Sequence, residues 1–314
     1  MTLPVGPLAP YITPAMLTAA PTGISWTTIP PGRTTTDEER YAEQLNICMR
    51  ATGEVDAWCN QVLRATIDTE TVTGPDFRMT FQQATGNARV IMSRWPVLDV
   101  VQVRVSANQV PRSWTTLPAN QAEPEWPPIG VYGASQPSDA GGGGQSILIG
   151  GGAINWGLGR MGYAAQVQYV NGWPHCSLTE AVAEGATTVE VDDCTGWALT
   201  GSGGQPGAVG TFYDAGSQEV GQVIASSVTA GPGTLTLSSP LRYAHAANVL
   251  FSCMPQSVQW AAMLFSAAQA LTRGATSTTV QTIPGGQGSS QGRAGADGLV
   301  DRAKKILQPF RRTI

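Results

Sequence analysis

One stretch of the chain matches the glycine fingerprint of dinucleotide-binding proteins. Gly157, Gly159 and Gly162 are spaced as in GxGxxG. In that motif a strand precedes the glycines and a helix follows them, because the helix N-terminus binds the pyrophosphate. Here the following residues, Gln166 to Val170, alternate between polar and apolar as a strand does. The stretch therefore indicates a glycine-rich turn, and we expect no cofactor.

The two histidines offer little for catalysis or metal binding. His175 follows a Trp-Pro pair, and His245 lies between alanines. The sequence has no Gly-x-Ser-x-Gly nucleophile elbow, and two histidines near the aspartates 192–193 lack the clustered spacing of a zinc site. The glutamates at 123 and 125 lie among prolines, where carboxylates are more often solvated than catalytic. We predict a protein that is not an enzyme and holds no metal.

The cysteines and the N-terminus indicate a soluble protein from a reducing compartment. The five cysteines are odd in number and form no CxxC, so neither a disulfide framework nor a zinc knuckle is indicated. The first ten residues contain three prolines and no basic region ahead of an apolar one. No apolar run reaches membrane-spanning length. We expect no membrane partner.

The composition favours a turn-rich and β-rich fold. Only 13% of the residues are charged, whereas 37 glycines and 22 prolines are present. With 42% hydrophobic residues, the 314-residue chain can bury the cores of two or three modules.

Helices are predicted near both ends of the chain. Thr13 caps a short first helix that ends before Pro21. Thr36 and Glu39 form the capping box of a second helix, which runs to about Arg64. The apolar stripe of this second helix consists of Tyr41, Leu45, Cys48, Thr52, Val55, Cys59 and Val62.

The C-terminal part contains two more predicted helices. Pro255 starts the third helix, which ends at Arg273. A spacer rich in Thr, Ser, Gly and Gln follows over residues 275–295. Asp297 caps the fourth helix and Pro309 stops it.

The middle of the chain alternates with a period of two and is predicted to form strands. A Pro-rich and Gly-rich stretch over 111–152 interrupts it and indicates a long loop or extended arm. The predicted divisions are an N-terminal helical segment (1–69), a β-rich region (70–175), an inserted β-module (176–254) and C-terminal helices with a spacer and a docking arm (255–314). We predict an α+β fold with a small helical bundle and a small inserted β-barrel or sandwich.

The inserted module is predicted to be self-contained. Its strands are predicted at 188–191, 209–213, 219–225 and 234–237, separated by glycine-rich turns. Cys176 and Cys253 bracket it. Because the two ends of an insertion normally lie close together, these cysteines should be neighbours, and they need not be bonded. We expect the module to bury its own core.

Positive charge is concentrated at the C-terminus. Residues 293–314 carry a net charge of +4, which leaves a net charge of −8 on the rest of the chain. A basic tail with an apolar face on an acidic body indicates a segment that docks on a partner, and a solvated terminal helix is the alternative. The acidic body also argues against direct nucleic-acid binding, which needs clustered basic charge.

Several short motifs together resemble one family of viral structural proteins. These motifs are the segments 13–17, 72–77, 93–97 and 307–312 and the capped helix from Asp37. They resemble the head-to-tail adaptors, or connectors, of tailed phages that infect actinobacteria. The long loop and the inserted module depart from the compact form of such adaptors, and the module resembles a small β-module of phage proteins.

The resemblance implies a structural role in the virion, at the junction of head and tail. Such adaptors form a ring, usually of twelve copies, between the portal protein and a tail-side stopper or connector, and DNA passes through the ring. The basic side chains of the arm would meet an acidic portal surface, and the apolar ones would fill its grooves. The portal-binding residues so implied are Arg302, Lys304, Lys305, Ile306, Leu307, Phe310, Arg311 and Arg312.

Two further expectations concern the arm and the alternative function. The final helix is too short to be stable alone, so the arm should be mobile until it binds. The nine tryptophans and the glycine-rich turns also suit a non-enzymatic carbohydrate-binding or adhesive β-module protein.

Overall fold

The protein has the predicted α+β class, with helices at both ends of the chain and antiparallel sheets between them. A computed structural model describes residues 9–29, 36–74, 78–82, 87–107, 111–124, 145–150, 162–198, 208–272 and 291–312. The α-helices of these residues are α1 (Pro14–Ala19), α2 (Asp37–Cys59), α3 (Gln256–Thr272) and α4 (Gln291–Leu307). Short 3-10 helices lie at Trp26–Thr28, Ala119–Gln121 and Gln308–Phe310.

The strands of the described residues form three sheets, in which all strand pairs are antiparallel. They are β1 (Thr66–Thr73), β2 (Met79–Gln82), β3 (Asn87–Ile91), β4 (Val97–Ala107), β5 (Thr115–Thr116), β6 (Ala122–Pro124), β7 (Ser146–Ile149), β8 (Tyr163–Asn171), β9 (His175–Ser177), β10 (Thr188–Val191), β11 (Val209–Tyr213), β12 (Glu219–Ser226), β13 (Gly233–Leu237) and β14 (Leu250–Ser252).

Local capping fixes the start of the first two helices, as predicted. The side chain of Thr13 accepts a hydrogen bond from the N–H of Met16 at the start of α1. At the start of α2, Thr36 and Glu39 form the reciprocal capping box. These signals lie within four residues of each other, so the sequence alone is sufficient to locate them.

Helix α2 ends five residues before the predicted end near Arg64. Asn60 takes a left-handed conformation with φ 54°, and the N–H of Gln61 donates to the carbonyl of Asp56. The chain then runs extended, and Ala65 donates its N–H to the carbonyl of Trp173. Arg64, which the helical pattern had assigned to α2, instead forms a β-bridge with Trp173.

Of the two C-terminal helices, α3 has the predicted boundaries and α4 begins earlier than predicted. Helix α3 begins one residue after Pro255 and extends to Thr272, as predicted. Helix α4 begins at Gln291 and not at the predicted cap Asp297, so the end of the predicted spacer is helical. Residues 275–290 of the predicted spacer lie outside the described residues. So do residues 125–144 and 151–152 of the long loop predicted over 111–152.

Two four-stranded sheets enclose one core in the first half of the chain. Their strand orders are β1-β8-β4-β5 and β2-β3-β7-β6. The residues buried between them are aliphatic for the most part and include Val72, Val90, Val103, Ile147 and Val167. This core stabilises the base on which the loop at 92–96 is held.

The third sheet has six strands in the order β10-β13-β12-β11-β14-β9, and it curls on itself. A bridge between Leu178 and Val191 joins its two edges. Cys176 lies opposite Phe251, and Cys253 donates its N–H to the carbonyl of Pro174 at 2.9 Å. The two bracketing cysteines are neighbours, as predicted, and both are free thiols.

The curled sheet does not have a core separate from the helices. Its stacked aromatic rings, Trp197, Phe212 and Phe251, belong to the same buried cluster as side chains of all four helices. The expectation of a self-contained module core is therefore wrong, because residues of α3 and of the 61–65 segment belong to the same continuous buried cluster. The division of the chain at 69, 175 and 254 stays a prediction.

Gly196 tests this shared core. It has φ +79°, and an added Cβ would lie 2.8 Å from Leu98 Cδ1 and 3.0 Å from Ala65 Cβ, both outside the sheet. Gly231 is the matched control, because it also has φ +79° but no atom within 4 Å of an added Cβ.

We expect Gly231→Ala to lower the free energy of unfolding by about 1 kcal/mol, the cost of the left-handed conformation. Gly196→Ala should cost at least about 2 kcal/mol more, because the methyl group overpacks the interface. Urea unfolding of the two variants measures the difference. Equal decreases in the free energy of unfolding would show that Gly196 is not closely packed against Leu98 and Ala65.

Candidate partner-binding face

The C-terminal segment, residues 296–312, lies against the chain's own body. Helix α4 packs along α3, and Ala296, Ala303 and Leu307 of α4 are buried. Ile306 is half-buried and contacts the same core. The apolar residues of the segment therefore face the protein itself.

Phe310 is held between two tryptophans. Its ring stacks on Trp95 with centroids 6.2 Å apart, and it meets Trp173 edge-on at 5.6 Å. Gln61 Nε2 donates to the carbonyl of Phe310 at 3.1 Å. The N–H of Arg312 donates to the carbonyl of Cys59, the last residue of α2, at 2.9 Å. The segment thus satisfies a carbonyl at the C-terminal end of α2.

Carboxylates on β1 hold the loop that carries Trp95. Arg94 forms an ion pair with Asp68 at 2.9 Å. Glu70 accepts hydrogen bonds from the backbone and side chain of Ser93. These contacts hold the loop against the sheet, so they fix the position of Trp95 independently of Phe310.

The structure corrects the prediction that the C-terminal arm is mobile until it binds a partner. Leu307 is fully buried and Phe310 is 9% exposed, so neither is free to fill a groove on a partner. The physical reason is the spacing of the apolar residues. These residues match α3 and the tryptophan pair of the same chain, so the body itself provides the surface on which the segment docks. Docking within one chain covers this surface without the entropy loss of associating with a second molecule.

The basic side chains of the segment remain outside. Arg302, Lys305 and Arg311 are exposed, and Lys304 and Arg312 are half-buried. Among pairs of described residues, none of the ion pairs includes any of these cations. We call these five side chains the basic face.

Trp58 organises two members of the basic face. Lys304 Nζ and Arg311 Cζ each lie 5.0 Å from the centre of its indole ring. Glu54, one turn earlier on α2, accepts a hydrogen bond from Gln269 at 2.9 Å. Burial raises the pKa of Glu54, and Gln269 and Lys304 only partly oppose that effect. The basic face is thus set on a rigid support.

His175 is buried and serves the fold. Its Nε2 bonds to the carbonyl of Pro10 at 3.0 Å, so this nitrogen carries the proton, and Nδ1 accepts from the hydroxyl of Ser252 at 2.8 Å. Burial lowers the pKa of His175 to about 4. A neutral, enclosed imidazole that fixes the N-terminal segment has no access to a substrate.

His245 lies between two carboxylates. Its Nδ1 is 3.2 Å from Asp214, its Nε2 is 2.8 Å from Glu219, and the ring stacks on Phe212. Burial would raise the pKa of Glu219, but hydrogen bonds from two backbone N–H groups and from His245 lower it overall. The carboxylates contact opposite ring nitrogens and do not converge on one point. Within the described residues no group of three or more His, Cys, Asp or Glu side chains could hold a metal.

An open cleft of about 370 Å³ lies between α1, the turn from β11 to β12 and the first half of α3. Trp260, Tyr213 and Met16 contribute to its walls, together with Asp214 and Gln259. The sequence contains no signal for this cleft, because its residues come from three segments that are far apart in the chain.

The glycine-rich motif lies mostly outside the described residues. Gly162 is described, and it leads directly into β8. A strand therefore follows the motif, as predicted, where a dinucleotide site would need a helix.

Comparisons with known proteins leave the chain without an assigned family. A scan against protein-family models, a search of curated proteins and a search of solved structures found no match. In the part of the chain that the structure describes, none of the helices has the length and apolar character to cross a bilayer.

The tryptophan pair predicts a large effect of Phe310→Ala. We expect the free energy of unfolding to fall by about 3 kcal/mol, because the substitution empties a buried aromatic site. Lys305→Ala, on the exposed side of the same segment, should change it by less than about 0.5 kcal/mol. Chemical denaturation of both variants is the measurement, and equal small effects would mean that the segment is not docked in solution.

His175 predicts a specific pH dependence. Its pKa of about 4 in the folded chain is below the ordinary 6.5, so the unfolded chain takes up the proton first and stability is lost as pH falls from about 6.5 to 4. Burial raises the pKa of Asp56 to about 6, and that group acts in the opposite direction over nearly the same range. The contribution of His175 is therefore largely cancelled in the pH dependence of the wild-type unfolding free energy.

The variant His175→Gln removes one of the two opposing groups. The difference in unfolding free energy between wild type and variant should shrink by about 3 kcal/mol between pH 7.5 and pH 4, because 2.5 pKa units correspond to about that energy. Urea titrations of both proteins across this range measure it. A difference that stays constant with pH would show that His175 is not held neutral by burial.

Proposed function

We propose that the protein is a structural component of a tailed-phage virion, a head-to-tail adaptor that forms a ring between the portal protein and a tail-side stopper. The basic face is the observation that carries this proposal. Its five cations form no ion pair within the described residues, and the rest of the chain is net acidic. The resemblance of the short sequence motifs to such adaptors gives the identity of the partner.

The basic face suits recognition of an acidic protein surface. Like charges brought together on a folded protein repel one another, and a complementary surface relieves that repulsion. Phe310 and Trp58 already fix the positions of the cations, so little conformational entropy is lost on binding. Arg302, Lys305 and Arg311 would make the first contacts.

The apolar residues of the segment have a different role from the one the sequence suggested. Leu307 and Phe310 would set the orientation of the basic face from inside the chain. Ile306 is half-buried and could contact a partner at its edge only. The portal-binding set thus divides into inner positioning residues and outer contact residues.

The ring is the second part of the proposal. A closed ring of about twelve copies needs a head-to-tail interface in which each subunit presents two different surfaces. In this proposal α2, α3 and α4 act as a helical bundle against the portal, and the inserted module forms a small barrel away from it. The acidic body would line a channel through which DNA passes without sticking. No catalytic step is proposed, and both histidines serve the fold.

Charge reversal tests the portal contact. Arg302→Glu combined with Lys305→Glu should weaken binding to purified portal by about tenfold or more, and the loss should be largest at low salt. Arg104→Glu combined with Arg242→Glu is the matched control, since both residues are exposed and the net charge changes equally.

Two outcomes would contradict the proposal. Equal weakening by the control pair would mean that net charge and not the basic face attracts the portal. Electron cryo-microscopy of virions that places the chain in a single copy, or away from the head-tail axis, would exclude the ring.

A further inference from the structure

Helix α2 has one side that faces away from the rest of the protein. The helix packs on α1, α3 and α4, and its opposite side is exposed along most of its length. Arg50 and Glu54 are the charged members of that side, and their charges have opposite signs, so it is neutral overall. We call the following exposed residues the outer side of α2: Tyr41, Ala42, Asn46, Met49, Arg50, Gly53, Glu54 and Ala57.

The outer side of α2 exposes a ridge of large apolar side chains. Tyr41 is 48% exposed and Met49 is 38% exposed, and each lies one turn from the half-buried Leu45. The three side chains are neighbours because residues four apart lie on the same side of a helix. A contiguous apolar patch of this kind marks an interaction surface, whereas single exposed apolar residues do not.

Gly53 leaves room on the outer side for the close approach of another helix. Within the described residues, no atom lies within 4 Å of a Cβ added at Gly53, so the fold of the chain does not require a glycine there. Glycine inside a helix lowers its stability relative to alanine. With Ala42 and Ala57 nearby on the same side, a second helix can pack with its axis about 8 Å away.

The two ends of α2 carry opposite charges. Its first turn contains the exposed acids at 37–39. Arg40 pairs with one of them, which leaves this end acidic. The basic face lies at the other end, where Lys304 and Arg311 lie over the ring of Trp58. The helix has 23 residues, so the charged ends are about 34 Å apart.

This charge pattern selects a second copy of the chain as the occupant of the outer side. An antiparallel copy that packs its own outer side there places its basic face on the acidic end of the first copy, and two-fold symmetry repeats the contact at the other end. A parallel copy would bring like charges together, which is unfavourable. A purely acidic partner fits the basic end and is repelled by the acidic end.

One register of the antiparallel pair also matches the side chains by size. In this register Ala42 lies opposite Ala57 of the second copy. Asn46 then lies opposite Gly53 of the second copy, and Met49 lies next to its own symmetry mate. Small residues thus allow close approach on both sides of the centre, and the two flexible methionines fill the centre itself. The acidic first turn lies level with the end of α2 in the second copy, beside its basic face.

We propose that the free chain forms an antiparallel dimer through the outer side of α2, with the acidic first turn of each copy on the basic face of the other. This inference goes beyond the proposed function, because it concerns the chain before it meets portal. The dimer and the portal would compete for the basic face. A helix side about 34 Å long and about 10 Å wide is smaller than the roughly 800 Å² per partner of a standard interface, so we expect a weak and reversible dimer.

Sedimentation equilibrium of the purified chain without portal, from about 1 to 200 µM, measures this dimer. The test variant is Gly53→Leu, which adds a side chain where the second helix would pack. Gly298→Leu is the matched control. Gly298 is also an exposed glycine inside a helix with no described atom within 4 Å of an added Cβ, and it lies in α4, outside the outer side of α2.

We expect wild type and Gly298→Leu to dimerise with equal dissociation constants, and Gly53→Leu to dimerise at least about tenfold more weakly because the added side chains overlap. Both substitutions should raise the melting temperature of the monomer slightly, since leucine favours a helix more than glycine does. Weaker association of a more stable monomer does not arise from misfolding.

A charge swap tests the antiparallel direction. Glu38→Arg alone and Arg311→Glu alone should each weaken the dimer, because each places like charges at both ends of the contact. The double variant should recover most of the wild-type affinity, since the opposite charges meet again with their signs exchanged. A double variant that is weaker than both single variants would exclude the antiparallel contact.

Three further results would overturn the proposal. The first is a chain that stays monomeric at about 200 µM. The second is a dimer that Gly53→Leu leaves unchanged, which would place the contact elsewhere. The third is a ring of about twelve copies in the absence of portal, which would mean that the free chain associates head to tail. None of these results bears on the contact with portal, which the charge reversal at Arg302 and Lys305 tests separately.

Discussion

The end of helix α2 is the point on which the arrangement of both chain termini depends. The C-terminal end of a helix leaves carbonyls without partners inside the helix, and the N–H groups that follow the helix also need partners, which other parts of the chain supply here. On one side the hydroxyl of Tyr11 accepts the N–H groups of Leu63 and Arg64 at 3.0 and 3.2 Å and donates to Asp56 at 2.5 Å. On the other side the backbone N–H of Arg312 reaches the carbonyl of Cys59. The two ends of the chain therefore meet at one turn.

This arrangement explains why the basic face is rigid. Once Arg312 is bonded to α2 and Phe310 lies between the tryptophans, α4 has no freedom to leave α3 without exposing a buried aromatic ring and the apolar side of α3. Burying a large apolar side chain contributes about 2 kcal/mol, so the docked segment is favoured without any partner. The cations point outward because the inward positions of the helix are already occupied.

The features that the sequence could predict are those encoded within a few residues. The capping box of α2, the start of α3 at Pro255 and the strands β10 to β13 follow from local spacing, and the structure agrees with each. The early end of α2 was not predictable in this way, because the residues that follow the helix are held by the hydroxyl of Tyr11, which is distant in the sequence and accepts the N–H of Leu63. The cleft was missed for the same reason, since α1, the β11–β12 turn and α3 meet only in the folded chain.

The C-terminal segment shows why an amphipathic, basic sequence does not decide between docking on a partner and docking on itself. The same apolar residues serve in both cases, and the choice depends on whether the body offers a matching surface. Here Trp95, Trp173 and α3 offer one, and without the segment that surface would be exposed to water. Because the apolar residues are used largely inside the chain, the proposed contact with a partner would rest on the cations, on the indole of Trp58 between them and on the edge of Ile306. Recognition by exposed charge is screened by salt and acts mainly on the rate of association. In the proposed assembly, the stability of the contact would therefore come from many copies that bind together as a ring on a symmetric partner.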